Sequence, residues 1–348
     1  MRPVVNGEKN GAMLLAWTIF LVSAMVIVYA GIKLSQCGDQ IAELTGLGGL
    51  WIGVVLMAGA TSLPEVLTTV SASLLDQPDL AAGDLFGAGM ANMLTLGLID
   101  LMHRQKRVWQ QAAFEHTLSA GLAMFLTGLA AFFVLLGLDV KHGGISLGTM
   151  LLLLFYILGM RLVFRQENVK RRRREQEAVV EAHAAEAGRS SRRIELRRAS
   201  LGFALAALGL MIAAPFLARS AEEIATLSGI STTFIGTSLL GITTSLPELV
   251  TSVTAVRLGA YDLAVGNLFG SNAFNMGAFF FVDLAYHGGP LFNAVSNAHA
   301  LTALWSMLLM SAALMGIMYR VEKRYLLIEP DSFAIILGYC IGLWLLFQ

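Results

Sequence analysis

Apolar residues run in ten blocks along the chain, at 13–34, 50–75, 80–102, 114–137, 146–164, 199–218, 231–256, 263–286, 298–318 and 331–347. Each is about 17–25 residues long, the length a helix needs to cross the hydrocarbon of a bilayer. The pattern predicts an all-α polytopic membrane protein with ten transmembrane helices. Tyr29-Ala30-Gly31 gives the first block something of the look of a secretory signal. Its apolar run is too long for a typical signal core and it has a counterpart later in the chain, so it is read as the first span.

The blocks repeat. Thr61-Ser62-Leu63-Pro64-Glu65 returns as Thr244-Ser245-Leu246-Pro247-Glu248, an offset of 248 − 65 = 183. The same offset carries Ile41-Ala42 onto Ile224-Ala225, Asp79-Leu80-Ala81 onto Asp262-Leu263-Ala264, and Asn92-Met93 onto Asn275-Met276. It also carries Asp100 onto Asp283, His116 onto His299, and Tyr156 and Gly159 onto Tyr339 and Gly342. No gap interrupts the register from about residue 41 to residue 160, so a five-helix unit is duplicated. Five is odd, so the second unit enters the membrane from the opposite face. Two inverted five-helix repeats result, an arrangement common in secondary transporters. The predicted organisation is a first repeat over 1–165, a basic linker over 166–198 and a second repeat over 199–348.

Charge orients this layout. Lys170-Arg171-Arg172-Arg173-Arg174 and Arg192, Arg193, Arg197 and Arg198 crowd the linker. Arg104, Lys106 and Arg107 follow the third span, and Arg320, Lys323 and Arg324 follow the ninth. All three lie on one side of a ten-span chain, which the positive-inside rule makes cytoplasmic. The linker reads as a solvated helical connector, with contact to lipid headgroups as the alternative. The predicted location is the plasma (cell inner) membrane. Only 14% of residues are charged, against about a quarter in soluble proteins, and the net charge is zero. Cys37 and Cys340 lie far apart, which excludes a disulfide framework and a zinc spacing.

Acids inside apolar spans are costly and mark function. Glu65 and Glu248 sit near the middle of the second and seventh spans, each after a proline. A proline removes a backbone N–H and frees the carbonyl four residues earlier, here those of Ala60 and Thr243. Thr61 and Ser62 share a helix face with Glu65, as Thr244 and Ser245 do with Glu248. Inversion brings the two faces together near the midplane as an all-oxygen cage, which suits hard cations such as Ca²⁺ and Na⁺. On the third and eighth spans, Asn92 and Asn275 aim amide oxygens at the ion or bond between helices. Asp84 lies along one face with Ala88 and Asn92. Asp100–His116 and Asp283–His299 contacts are expected to staple interhelical turns, with pH sensing as the other reading.

These motifs resemble the α-repeats of the cation/Ca²⁺ exchanger superfamily, which includes the sodium/calcium exchangers. Its pattern G-T-S-x-P-E and G-N-x-x-G-S-N-x-x-N is nearly complete in the second half, through Gly266-Asn267-Leu268-Phe269-Gly270-Ser271-Asn272-Ala273-Phe274-Asn275. The resemblance implies that Glu65 and Glu248 share a Ca²⁺ ion with the carbonyls of Thr61 and Thr244. It implies flanking Na⁺ sites at Ser62, Ser245 and Ser271 and at carbonyls near Ala58 and Gly241, with Asn92 and Asn275 at the centre. It also implies that the first and sixth spans slide over the rest. Ala88 and Gly89 stand where the family has Ser and Asn, and Asp84 replaces its Asn. Asp84 then compensates with charge or a proton site, or is simply a helix N-terminal acid.

The expected function is a secondary antiporter, not an enzyme, exchanging Ca²⁺ for Na⁺ by alternating access. H⁺-coupled exchange of Ca²⁺, Mg²⁺ or Mn²⁺ is the alternative. No Ser/His/Asp arrangement, HExxH or phosphate loop is present. The expected partners are inorganic cations and the lipid bilayer, with no cofactor and no nucleic acid, and the chain is expected to act as a monomer.

Overall fold

The computed structural model describes residues 6–102, 116–137, 139–142, 144–179, 189–228, 243–319 and 330–346. The helices are α1 (Asn6–Thr45), α2 (Gly49–Leu74), α3 (Pro78–Met102), α4 (His116–Leu136) and α5 (Leu147–Val179) in the first half. Those of the second half are α6 (Arg189–Ser228), α7 (Leu246–Arg257), α8 (Tyr261–Ala285), α9 (Ala298–Tyr319) and α10 (Pro330–Leu346). Among the described residues seven helices are long and apolar enough to cross a membrane: α1, α2, α3, α4, α9 and the apolar parts of α5 and α6. Among the described residues the one small sheet is a two-residue antiparallel pairing of β1 (Lys141–His142) with β2 (Ile145–Ser146).

Helix ends differ from the sequence expectation. α1 extends past its apolar block at both ends, and the polar junction continues α5 to Val179 and starts α6 at Arg189. Alanine, glutamate and arginine are strong helix formers, so the helices persist beyond the apolar run. The basic loops 103–115 and 320–329 lie outside the described residues.

Two apolar clusters build the interior. Ile27, Ala30 and Leu34 of α1 pack with Ala206, Leu210, Ala213, Ala214 and Leu217 of α6. A larger cluster joins α2 to α5 with α7 to α10 and takes in Ile41 of α1 and Ala199 of α6. Its centre includes Phe86, Phe279 and Phe292, with adjacent ring centroids 5.2 Å apart.

α2 and α8 cross with their backbones in close approach. Residues Ile52–Met57 of α2 wind as a π-helix, which the apolar pattern did not predict. A Cβ at Gly270 would sit 2.6 Å from both Cα and the carbonyl oxygen of Val54, and one at Gly266 would sit 3.0 Å from the carbonyl of Leu50. Glycine thus lets two backbones touch where lipid offers no hydrophobic driving force and packing does the holding. π-turns of this kind recur at functional sites.

Pairs of contacts obey the repeat offset. His116 Nε2 lies 3.0 Å from Asp262 Oδ1, and His299 Nε2 lies 3.4 Å from Asp79 Oδ1. Since 116 + 183 = 299 and 79 + 183 = 262, each contact is the image of the other. The expected Asp100–His116 and Asp283–His299 staples are therefore corrected: each histidine reaches the opposite repeat. Asp100 Oδ2 instead accepts from Ser332 Oγ at 2.6 Å, and its image Asp283 Oδ2 accepts from Thr149 Oγ1 at 3.0 Å. Asp283 also takes Ser146 N, Ser146 Oγ and Leu291 N. Thr149→Val should lower stability by about 1.5–3 kcal/mol, the worth of one hydrogen bond to a charged group. Thermal unfolding in detergent checks this, and an unchanged Tm would remove Thr149 from the clamp.

Candidate cation site

The two signature stretches converge. Pro64 sits inside α2, so the helix turn holding Thr61, Ser62 and Glu65 has one backbone donor fewer. In the second half Pro247 opens α7 and Glu248 falls in its first turn, where the helix dipole favours an anion. Glu65 and Glu248 are both buried, at 0% and 1% exposure, and neither faces lipid.

Contacts across the repeats link the two stretches. Ser62 Oγ of α2 donates to Glu248 Oε1 of α7 at 3.0 Å. Ser271 Oγ of α8 reaches the same oxygen at 3.5 Å, and Thr61 Oγ1 lies 3.4 Å from Ser271 Oγ. The one proton of Thr61 Oγ1 has three acceptors in reach, the carbonyls of Met57 at 3.0 Å and Ala58 at 3.3 Å and Asn267 Oδ1 at 3.3 Å, while Thr244 Oγ1 donates to Asp84 Oδ1 at 3.3 Å. The last two are again images of each other, because 61 + 183 = 244 and 84 + 183 = 267.

What lacks a partner is as informative. Both carboxylate oxygens of Glu65, Oε2 of Glu248, Oδ2 of Asp84, Oδ1 of Asn92, Oγ of Ser245 and both amide atoms of Asn275 are buried with no hydrogen-bond partner. Buried polar atoms are ordinarily satisfied, and leaving one unpaired costs about 1–3 kcal/mol, more for a charge. Of the twelve such atoms among the described residues, four are on His116, Asp139, Gln166 and Ser306; the other eight, seven of them oxygens, lie on these candidates. A hard cation would satisfy them together. Among the described residues no group of three or more Asp, Glu, His or Cys is placed to hold a metal ion.

The structure places the remaining candidates as follows. Ala58 is buried at the junction of the π-turn and the regular helix, and its carbonyl lies in reach of Thr61 Oγ1 at 3.3 Å. Asn92 Nδ2 donates to Asn272 Oδ1 at 2.8 Å, so its interhelical bond is made while its oxygen stays free. Asp84 is not a surface N-terminal acid: it is buried within α3 and bonded across to the second repeat. Gly241 lies outside the described residues. Sequence reasoning missed Asn272, whose repeat mate is Gly89, and the role of Asn267. Its Nδ2 donates to Thr251 Oγ1 at 3.1 Å and Ser252 Oγ at 3.0 Å, fixing its oxygen towards Thr61. The signal available was the offset itself, which sets Asn267 opposite Asp84.

Comparison with known proteins agrees with this architecture. Chains of the sodium-calcium exchanger NCX_Mj superpose with TM-scores of 0.70 and 0.71 at 20% identity, over 95% of this chain and 98–99% of theirs. Inner membrane protein YrbG of Escherichia coli (strain K12) is 36% identical over 91 residues, 26% of this chain. Sodium/calcium exchanger MaX1 of Methanosarcina acetivorans is 26% identical over 149 residues, 42% of this chain. The matched stretches span 28% and 40% of those two relatives' own lengths. The family model described as sodium/calcium exchanger protein matches residues 15–164 and 198–348, one match per repeat. The chain is therefore a polytopic membrane protein of the sodium/calcium exchanger family.

Proposed function

We propose that this protein is a secondary antiporter that exchanges Ca²⁺ for Na⁺ by alternating access at the Glu65–Glu248 site. One observation carries the reading. Two buried carboxylates, one from each inverted repeat, lie on stretches joined by the Ser62 and Ser271 hydroxyls, and Ser245, Asn92 and Asn275 add buried oxygens that have no hydrogen-bond partner. Two negative charges are neutralised by one Ca²⁺ or by two Na⁺. A site that must be neutralised by either species, and has no room for both, couples their opposite movements. Glu65 and Glu248 supply the charge, the carbonyls of Thr61 and Thr244 complete the calcium shell, and Ser62, Ser245, Ser271 and the carbonyls of Ala58 and Gly241 serve flanking sodium ions. Asn92 and Asn275 contribute central oxygens.

Alternating access needs a movable part. The apolar cluster shared mainly by α1 and α6, to which α2 adds Ala60, supports a pair that slides as a unit over the rest. The chain resides in the plasma (cell inner) membrane with linker 166–198 cytoplasmic, and acts as a monomer.

One observation favours a second reading, exchange of a divalent cation for protons. Ala88 and Gly89 remove polar side chains from the first repeat, while Asp84 adds a buried acid. Uptake of ⁴⁵Ca²⁺ into proteoliposomes, under a sodium gradient and separately under a pH gradient, decides between them. Sodium-driven uptake is the expected result. Uptake driven by pH alone would replace sodium with protons, and no uptake under either gradient would end the calcium-exchange reading.

A further inference from the structure

We infer that Ser306 of α9 is a specificity-determining residue of the cation site, supplying to a sodium ion the oxygen that the first repeat lacks at Gly89. The inference deepens the exchange reading above and rests on it for the identity of the ion. The reasoning starts from an asymmetry. The second repeat carries Ser271-Asn272 on α8, and the first carries Ala88-Gly89 on α3. Ser306 has the mirror position 306 − 183 = 123, which is alanine. The two repeats therefore exchange roles. Where α8 has a side chain, its α4 neighbour has Ala123; where α3 has none, α9 has a hydroxyl.

The geometry matches that exchange. A Cβ placed at Gly89 would sit 2.6 Å from Ser306 Oγ, so the hydroxyl occupies the space of the missing side chain. The same point lies 3.9 Å from Asn272 Oδ1. Asn272 Nδ2 reaches the carbonyl of Gly89 at 3.4 Å, and its Oδ1 accepts from Asn92. Gly89 and Asn92 are three apart on α3 and share a face. Ser306 thus borders the group that holds the free oxygen of Asn92.

Its hydroxyl is also unused. Ser306 is buried at 1% exposure, and Oγ has no hydrogen-bond partner. Most other buried hydroxyls are spent, those of Thr69, Thr127 and Thr251 on carbonyls one turn back and those of Ser35 and Ser73 on a carbonyl of another helix. A buried hydroxyl that makes no such bond is left for a ligand. The oxygens here are neutral, with no carboxylate among Ser306, Asn272, Asn92 and the Gly89 carbonyl. Neutral oxygens suit a monovalent hard cation, because a divalent ion needs the charge that Glu65 and Glu248 provide.

The test uses the full chain purified in detergent. Thermal stability is followed while NaCl replaces choline chloride at constant ionic strength, and separately with CaCl₂, since a bound ion stabilises by mass action. Ser306→Ala should need at least fivefold more sodium for half the Tm shift, with its calcium curve within twofold of the unmutated protein. Gly89→Ser combined with Ser306→Ala returns a hydroxyl to α3, where Ser306 no longer blocks it, and should restore the sodium curve to within twofold. Three results would overturn the inference: no sodium-specific shift in the unmutated protein, a Ser306→Ala curve that superimposes on it, or sodium and calcium curves displaced together without rescue. If the sodium curves move as stated but no ⁴⁵Ca²⁺ crosses in flux assays, the exchange reading fails and the Ser306 site stands.

Discussion

Glu65→Gln and Glu248→Gln are each expected to lower calcium exchange on the order of 10²–10³-fold. Glutamine keeps the shape and one oxygen of the side chain and removes its charge. A buried charge that loses its partner costs about 2–5 kcal/mol, and every 1.4 kcal/mol is about tenfold in affinity. The divalent ion suffers most, because it needs both carboxylates. The folded protein should lose little, since both oxygens of Glu65 and Oε2 of Glu248 take no hydrogen bond from the protein. Relief of two buried like charges offsets part of any lost packing. The distinguishing result is a stable protein, with Tm near or above that of the parent, that takes up no ⁴⁵Ca²⁺. Uptake within threefold of the parent in either variant would show that the pair does not bind the transported ion.

Much of this arrangement was legible in the sequence for a physical reason. An acid in an apolar block has few stable fates, and two of them at a constant offset with the same proline must face each other once the repeats invert. The offset of 183 therefore foretold that the faces of Glu65 and Glu248 come together; that Ser62 meets Glu248 and Thr61 meets Ser271 is visible only in the packing. It could not choose partners for His116. Pairing with Asp100 in its own repeat and pairing with Asp262 in the other both respect the symmetry, and only packing separates them. The π-turn at Ile52–Met57 was equally hidden, because its apolar residues read as ordinary helix. It lies where Gly266 and Gly270 of α8 let the two backbones meet, a contact the apolar pattern of α2 does not encode. Ser306 carried no signal because its repeat mate is an alanine and no motif runs through α9.

Asp84→Asn carries the second large effect. The substitution makes the first repeat chemically equal to the second at this point, where Asn267 Oδ1 already lies in reach of Thr61 as Asp84 accepts from Thr244. Asparagine can keep that acceptor and add a donor, so the fold is expected to survive. What changes is one charge beside the stretch that carries Glu248. A unit charge acting across about 5–10 Å at an effective dielectric near 20 is worth about 2–3 kcal/mol, or roughly 30- to 100-fold in affinity for a monovalent ion. If Asp84 supplies the charge that Ala88 and Gly89 leave unmatched, Asp84→Asn weakens the coupling cation by that factor and shifts the ratio of sodium-driven to pH-driven uptake. Calcium self-exchange, which needs no coupling ion, should change far less. Flux measured under the two gradients and under calcium alone separates these effects. An unchanged coupling ion and an unchanged rate would reduce Asp84 to a hydrogen-bond partner of Thr244, and the compensation for Ala88 and Gly89 would then fall to Ser306 alone.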